Sequence, residues 1–236
     1  MKGRILDAVI AAGHDSRSVA LATDLASGRQ LLVNDLSAEG DLELDAATLD
    51  QVRTALHSDR NTTVEAPAGK IFIEVFSPPR RCFVVGAVHI AQPLVHMLKL
   101  ADYGVIVIDP RGSFATAARF PDVELTQEWP DEALERLKLD HRSAVVTLTH
   151  DPKLDDPALA VALRSDCFYI GALGSRRTHA ARCSRLTEMG LSEAELARIH
   201  GPIGLAIGAV SPAEVAISIL AQMTQILRRG ERAEAA

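Results

Sequence analysis

Glycine and acidic residues stand at the ends of apolar, β-branched runs in the second half of the sequence, where ligand-binding loops of α/β proteins lie. One run ends at Gly86, a helical pattern follows, and a second run ends at Asp109, close to the spacing of about 20 residues typical of a dinucleotide-binding unit. In a dinucleotide-binding unit the glycine turn leaves backbone amides free to bind a phosphate, and the acidic residue accepts hydrogen bonds from the ribose hydroxyls. Val88 replaces the second glycine of this pattern. The residues therefore fit either an NAD(P)-binding unit or an ordinary βαβ unit.

A second candidate for anion binding contains Gly171, Gly174, Ser175, Arg176 and Arg177, and it follows an apolar strand and opens a helix. Free amides at a helix start, a serine hydroxyl and two guanidinium groups can together hold a phosphate, for which arginine offers bidentate donors. The sequence therefore predicts an anion site. The alternative is that both arginines pair with acidic neighbours on the surface.

Polar residues at a neighbouring strand end extend the candidate site. Thr149, His150 and Asp151 follow a β-branched strand and are candidates for acid–base chemistry or ligand positioning. We expect His89 and Arg111 to face the same crevice, because ligands bind at the switch point of a Rossmann sheet. The histidines lack metal-ligand spacing and no nucleophile elbow is present, so neither a metal site nor a catalytic residue is assigned.

A glycine-rich loop containing Gly201 and Gly204 lies between two predicted capping boxes that begin at Ser192 and Ser211. Its glycines and proline imply a tight backbone path with exposed amides. The loop is interpreted either as part of a ligand site or as a plain connector.

The alternation of strands and helices predicts a Rossmann-like α/β fold, with a mostly parallel sheet and helices on both faces. A proline-containing break predicts a boundary between a small α+β N-terminal domain, residues 1–78, and the Rossmann-like domain, residues 79–236. Predicted strands lie at 82–85, 105–108, 123–125, 143–148 and 167–170, and predicted helices at 130–137 and 157–164. The N-terminal domain is expected to hold helices at 4–12 and 45–57, two strands within 19–33 and a strand at 70–76.

Composition narrows the classes of partner. The 236 residues carry a net charge of −6 and only 4% are aromatic, which offers neither an electrostatic nor a stacking basis for binding nucleic acid or an anionic membrane. The sequence has no recognisable signal peptide or membrane-spanning run, and its three cysteines lack C-x-x-C spacing. We expect a cytoplasmic protein without nucleic-acid or membrane partners.

The candidate residues belong to an ordered set of motifs between about Phe76 and Leu227. These are FVVGAVHIA (83–91), VIDPR (107–111), RFP (119–121), THD (149–151), YIGALGSRRT (169–178), IHGPIGL (199–205) and IGA (207–209) followed by SPAE (211–214). The set closely resembles the C-terminal domain of the XdhC/CoxI family of xanthine dehydrogenase accessory proteins. The sequence departs from the family pattern at Val88 and Ala206, and it lacks the Gly-Ser-Ser-Pro-type and Gly-Gly-Cys-type segments of longer members before Pro78.

The resemblance implies a maturation factor for molybdenum hydroxylases rather than an enzyme. Such proteins bind the molybdenum cofactor, as molybdopterin or its dinucleotide form, support its sulfuration with a cysteine desulfurase, and pass it to the apo molybdenum hydroxylase. The resemblance also implies a homo-oligomer, often a dimer. The alternative from another class is an NAD(P)-dependent oxidoreductase or nucleotide-binding protein that uses Gly86 and Asp109.

The residues fit the implied ligand in two ways. Arg176 and Arg177, with the amides after Gly171 and Gly201, would hold its phosphate. Polar edges of the pterin would form hydrogen bonds with His150 and with Asp109, whose carboxylate would accept them.

Overall fold

The computed structural model describes residues 3–15, 17–67 and 69–233. The chain divides into two compact units, Met1–Pro78 and Pro79–Ala236. Each unit has its own sheet and its own buried apolar clusters.

The N-terminal unit is a five-stranded antiparallel sheet with one helix against each face. Its elements are α1 (Gly3–His14), β1 (Val19–Asp24), β2 (Gln30–Val33), β3 (Ala38–Gly40), α2 (Ala46–Ser58), β4 (Thr62–Ala66) and β5 (Gly69–Phe76), with strand order β3-β2-β1-β5-β4. Alternate residues of β1 pack on opposite faces, Leu21 against α1 and Ala22 against α2. Asp45 caps α2 as predicted, by accepting a hydrogen bond from the N–H of Thr48 at 2.7 Å.

The C-terminal unit is a six-stranded parallel sheet with helices on both faces. Its elements are β6 (Arg81–Val85), α3 (Ala91–Leu100), β7 (Gly104–Ile108), β8 (Glu124–Thr126), α4 (Pro130–Leu137), β9 (Ser143–Thr147), α5 (Pro152–Leu163), β10 (Tyr169–Ala172), α6 (Arg176–Glu188), α7 (Glu193–Leu196), β11 (Ile199–His200) and α8 (Pro212–Ala233). The order β11-β10-β9-β6-β7-β8 is that of the Rossmann fold, which confirms the predicted fold class. Among the described residues no helix combines the length and apolar character needed to cross a bilayer.

Alternating burial along the strands forms two apolar clusters in this unit. Val84 and Val146 face α3 and α8, whereas Phe83 and Val145 face α4, α5 and α6. The parallel pairing of β6 with β9, with Val85 opposite Thr147, brings the ends of these two strands side by side. The switch point predicted from the sequence therefore lies at this edge of the sheet.

Two boundaries differ from the prediction in ways that affect the candidate site. The helix predicted from Pro157 begins at Pro152, because the Asp151 side chain accepts the N–H of Lys153 and caps the earlier start. The strand predicted to end at residue 170 runs on to Ala172, where it pairs with Thr147 of β9. This places Gly171 inside a strand rather than in a loop.

Candidate anion-binding site at the carboxyl edge of the parallel sheet

Gly86 brings the loops that follow β6 and β9 into contact. Its φ is +106°, and a Cβ added there would lie 2.6 Å from Cγ2 of Thr149, closer than real side chains approach. Its N–H donates to the carbonyl of Ile108 at 2.9 Å, which ties it to β7 as well. Only glycine tolerates both this conformation and this proximity.

Asp109 is fully buried, with no exposed surface. Its Oδ1 accepts from the N–H and Nε of Arg111 at 3.0 and 2.8 Å, and its Oδ2 accepts from Nη2 of Arg111 and the N–H of Ala87, both at 2.8 Å. Burial alone would raise the pKa of this carboxyl, but these hydrogen bonds outweigh it and hold the pKa below its ordinary value. Through these hydrogen bonds the carboxylate of Asp109 joins the β6 loop to the β7 loop.

The end of β7, where a dinucleotide-binding unit has its ribose-binding carboxylate, consequently offers no exposed carboxylate. Val88, at the position of the second glycine, is half buried and packs against the apolar cluster under α3. His89 is exposed, and the Arg111 side chain keeps 37% of its surface exposed while lying over the Phe114 ring at 4.6 Å. These features give no support to an NAD(P) pose of the usual kind.

Thr149 and Asp151 stabilise the loop after β9 through their own hydrogen bonds. Thr149 Oγ1 donates to Oδ1 of Asp155 at 2.7 Å and accepts from the N–H of Asp151 at 3.0 Å. His150, between them, is exposed and has a φ of +61°, an uncommon conformation for a residue other than glycine. Of these three residues, His150 is the one whose side chain is available to a ligand.

The loop between β10 and α6 presents a run of free backbone amides. Gly174 adopts a φ of +145°, and Ser175 caps α6 by accepting from the N–H of Thr178 at 3.1 Å. Among the described residues, the N–H groups of residues 174–177 have no hydrogen-bond partner. Arg176 and Arg177 are exposed and form no ion pair within the described part of the chain. Four neighbouring amides and two exposed guanidinium groups suit a phosphate-class anion.

The glycines at 171, 201 and 204 have packing roles. A Cβ at Gly171 would lie 2.5 Å from Cδ1 of Ile203, and a Cβ at Gly201 would lie 2.2 Å from Nδ1 of His179. The amide of Gly204 donates to Oε1 of Gln222 at 2.8 Å, so it is not free for a ligand. These residues hold the loop after β11 close to β10, α6 and α8.

A buried charged pair below the crevice was not anticipated from the sequence. Asp155 of α5 is 1% exposed, Arg182 of α6 is 2% exposed, and Arg182 Nη2 lies 3.7 Å from Asp155 Oδ2. Burial raises the pKa of Asp155 and lowers that of Arg182. The sequence signal for this pair is a charged residue on the buried face of each helix. That signal does not identify the partner, because Asp155 and Arg182 are distant in sequence.

Comparison with known proteins now identifies the family. The family model described as "XdhC Rossmann domain" matches residues 82–223, which include β6 and most of α8. The chain belongs to the XdhC family. The family predicted from the sequence motifs is thereby confirmed, and every candidate site residue lies within the segment that matches the XdhC model.

The relatives of this XdhC chain are longer proteins. It is 27% identical over 222 residues to a Bacillus subtilis protein named as a probable xanthine dehydrogenase subunit, covering 92% of this chain and 63% of the relative. It is 37% identical over 89 residues to the Escherichia coli "Molybdenum cofactor insertion chaperone PaoD", covering 38% of this chain and 28% of the relative. The chain thus spans less than two thirds of the length of these curated relatives.

A solved structure of a xanthine dehydrogenase from Bacillus halodurans has a similar fold, with a TM-score of 0.73. The match covers 98% of this XdhC chain and 67% of the other, at 24% sequence identity. At that identity the likeness describes the fold alone.

Proposed function

We propose that this chain is an accessory chaperone that binds the molybdenum cofactor and supports its sulfuration and insertion into an apo molybdenum hydroxylase of the xanthine dehydrogenase type. Membership of the XdhC family supports the accessory role, and so does the similarity to a relative named as a molybdenum cofactor insertion chaperone. The observation that carries the proposal is the run of amides at residues 174–177 beside Arg176 and Arg177, all without a partner among the described residues.

The cofactor is cargo in this proposal, and its anionic phosphate matches the donors present. The amides of residues 174–177 include the first N–H groups of α6, the kind of donor that binds phosphate at helix starts, and Arg176 and Arg177 add charge. His89, His150 and the exposed part of Arg111 are available for the polar edges of a pterin. Binding at this edge of the sheet would leave the hydrogen bonds of Asp109 to Ala87 and Arg111 intact.

The remaining parts of the proposal concern partners and organisation. A cysteine desulfurase would supply sulfur to the cofactor while this chain holds it, and a homo-oligomer would be the working form. We also propose that residues 1–78 and 79–236 are separate domains, the second of which holds the cofactor. The division of the chain into two compact units is consistent with that assignment.

The proposal is tested by purifying the full chain from a host that makes the cofactor and measuring bound pterin as its fluorescent acid-oxidation product. We expect pterin with the wild type and at least about tenfold less with Arg176→Ala combined with Arg177→Ala. Each charged hydrogen bond contributes about 1.5–3 kcal/mol, and its lower limit corresponds to about tenfold.

A matched control removes two positive charges from the opposite edge of the same sheet. Lys138 and Arg164 are exposed C-cap residues of α4 and α5, located before the amino ends of β9 and β10. Lys138→Ala combined with Arg164→Ala should retain wild-type pterin. Equal pterin in both double variants would remove the two arginines from the site, and no pterin in the wild type, together with no binding of added cofactor, would refute the proposed function.

A further inference from the structure

The buried guanidinium of Arg182 lies directly against the peptide that begins the run of free amides. Its Nη2 donates to the carbonyl of Leu173 at 2.8 Å. That carbonyl and the N–H of Gly174 belong to one peptide unit, and this unit is trans. Because the C=O and N–H of a trans peptide point in opposite directions, Arg182 lies on the side away from the free amide. A hydrogen bond to the carbonyl also polarises the peptide and strengthens its N–H as a donor.

The charge of Arg182 is only partly compensated. Its Nε and Nη1 are buried and have no hydrogen-bond partner among the described residues, and neither has Oδ2 of Asp155. The 3.7 Å between Nη2 and that Oδ2 is too long for a hydrogen bond. An unsatisfied cation therefore remains on the side of the Leu173–Gly174 peptide away from the Gly174 N–H, which begins the run of amides that have no partner among the described residues.

The same pair connects the two loops of the crevice. Asp155 holds the loop after β9 by accepting from Thr149, and Arg182 holds the loop after β10 by donating to Leu173. Asp155 also offsets the positive field that Arg182 creates at the amides. With this geometry the charge of Asp155 weakens anion binding at the amides, and the charge of Arg182 strengthens it.

We propose that Arg182 is the positioning residue of the anion site at the start of α6, and that Asp155 limits the positive charge this site receives. The inference rests on the anion site of the proposed function, and it names a residue that acts through the Leu173–Gly174 peptide rather than by touching the ligand. The ligand class is a phosphate or diphosphate group.

The test measures binding of inorganic pyrophosphate to the full chain by isothermal titration calorimetry. Arg182→Met should weaken binding about tenfold or more, and Arg182→Lys should recover part of the affinity because it restores the charge. Asp155→Asn should strengthen binding about fivefold, since its amide oxygen still accepts from Thr149 while the opposing charge is removed. A purely structural role of the pair predicts weaker or unchanged binding in Asp155→Asn.

The double variant Asp155→Asn with Arg182→Met distinguishes an effect of the Asp155–Arg182 pair from an effect of the net charge of the protein. It should bind like Arg182→Met alone, because the buried Asp155 carboxyl, once it has lost its neighbouring cation, becomes neutral and no longer opposes the anion. As a matched control, Asp156→Asn removes the adjacent buried carboxylate, whose hydrogen-bond partner is Arg185, and should change affinity by less than about twofold. Circular dichroism checks the fold of each variant, and if Arg182→Met does not fold, Arg182→Lys and Asp155→Asn decide the question.

Several results would overturn the inference. They are wild-type affinity in folded Arg182→Met, no strengthening in Asp155→Asn, or equal strengthening by Asp155→Asn with and without Arg182. If pyrophosphate binds and responds as expected but no pterin copurifies with the chain, the cofactor proposal fails and this inference stands. If pterin copurifies and Arg182 has no influence on pyrophosphate, the reverse holds.

Discussion

The buried carboxylate of Asp109 accepts four hydrogen bonds, and Asp109→Asn removes its capacity to accept all of them. An asparagine of the same shape keeps one acceptor oxygen and faces the other two donors with an NH₂ group. One lost bond to the Arg111 guanidinium costs about 1.5–3 kcal/mol, and one unsatisfied buried N–H, such as that of Ala87, costs about 1–3 kcal/mol. Because Arg111 remains partly exposed, solvent recovers part of the first cost. We expect a loss of about 2–4 kcal/mol in the free energy of unfolding.

Urea unfolding followed by the fluorescence of Trp129 measures this loss in the relevant unit. Trp129 is the only tryptophan of the chain and precedes α4, so it reports on the C-terminal unit. Because its hydrogen bonds hold the Asp109 pKa below the ordinary value, the wild-type advantage is fully present above about pH 4 to 5. It should shrink as the pH falls through the folded-state pKa.

The exposed Asp102 provides a control for the removal of one carboxylate from the same unit. It occupies a left-handed conformation, with a φ of +60°, that asparagine tolerates well. Asp102→Asn should change the free energy of unfolding by less than about 0.5 kcal/mol. A loss below about 1 kcal/mol in Asp109→Asn, or one that is independent of pH, would refute the assigned role of Asp109.

Two further predictions concern local geometry and use the same unfolding assay. Gly86→Ala should lower the free energy of unfolding by about 2–4 kcal/mol, because residue 86 has a φ of +106° and its new Cβ would lie 2.6 Å from Thr149. Gly208→Ala should lower it by only about 1–2 kcal/mol, because residue 208 has a φ of +77° but open space around its Cβ. Equal losses would exclude crowding by Thr149. Ser192→Ala should cost about 1 kcal/mol, because Ser192 Oγ accepts from the Glu195 N–H in the capping box that begins α7, and no measurable loss would show that this exposed cap is dispensable.

Local sequence patterns were sufficient for much of the C-terminal fold. The helix predicted at 130–137 coincides with α4, because Pro130 at its first position and acidic residues in its first turn are strong local signals. The β-branched runs located β6, β7 and β9, since parallel strands buried on both faces are continuously apolar. Both predicted capping boxes, at Ser192 and Ser211, are present.

Elements with a weak apolar signal were missed. The strands β3 and β4 lie at the edges of the N-terminal sheet and are mostly exposed, so their residues lack the alternation that marks a half-buried strand. The start of α5 was misjudged because Pro152 and Pro157 both suit a first helical position, and only the cap formed by Asp151 distinguishes them.

The position of the candidate site could be predicted from the sequence, but the role of each residue in it could be predicted only in part. The free amides and arginines of residues 174–177 follow from a strand, a glycine and a capping serine, which are all local. The internal role of Asp109 depends on Arg111 folding back onto it, and the pairing of Asp155 with Arg182 joins two helices. Contacts between side chains on different elements have no spacing rule, so the sequence alone did not predict them.

Native mass spectrometry can show directly whether the C-terminal unit holds the molybdenum cofactor at the start of α6, as we propose. The full chain would be gently purified from a cofactor-producing host, in the wild-type form and as Arg176→Ala with Arg177→Ala. We expect an added mass equal to molybdopterin or its dinucleotide form on the wild type, and its loss from the folded double variant. A wild type without that added mass, even after addition of the cofactor, would contradict the claim.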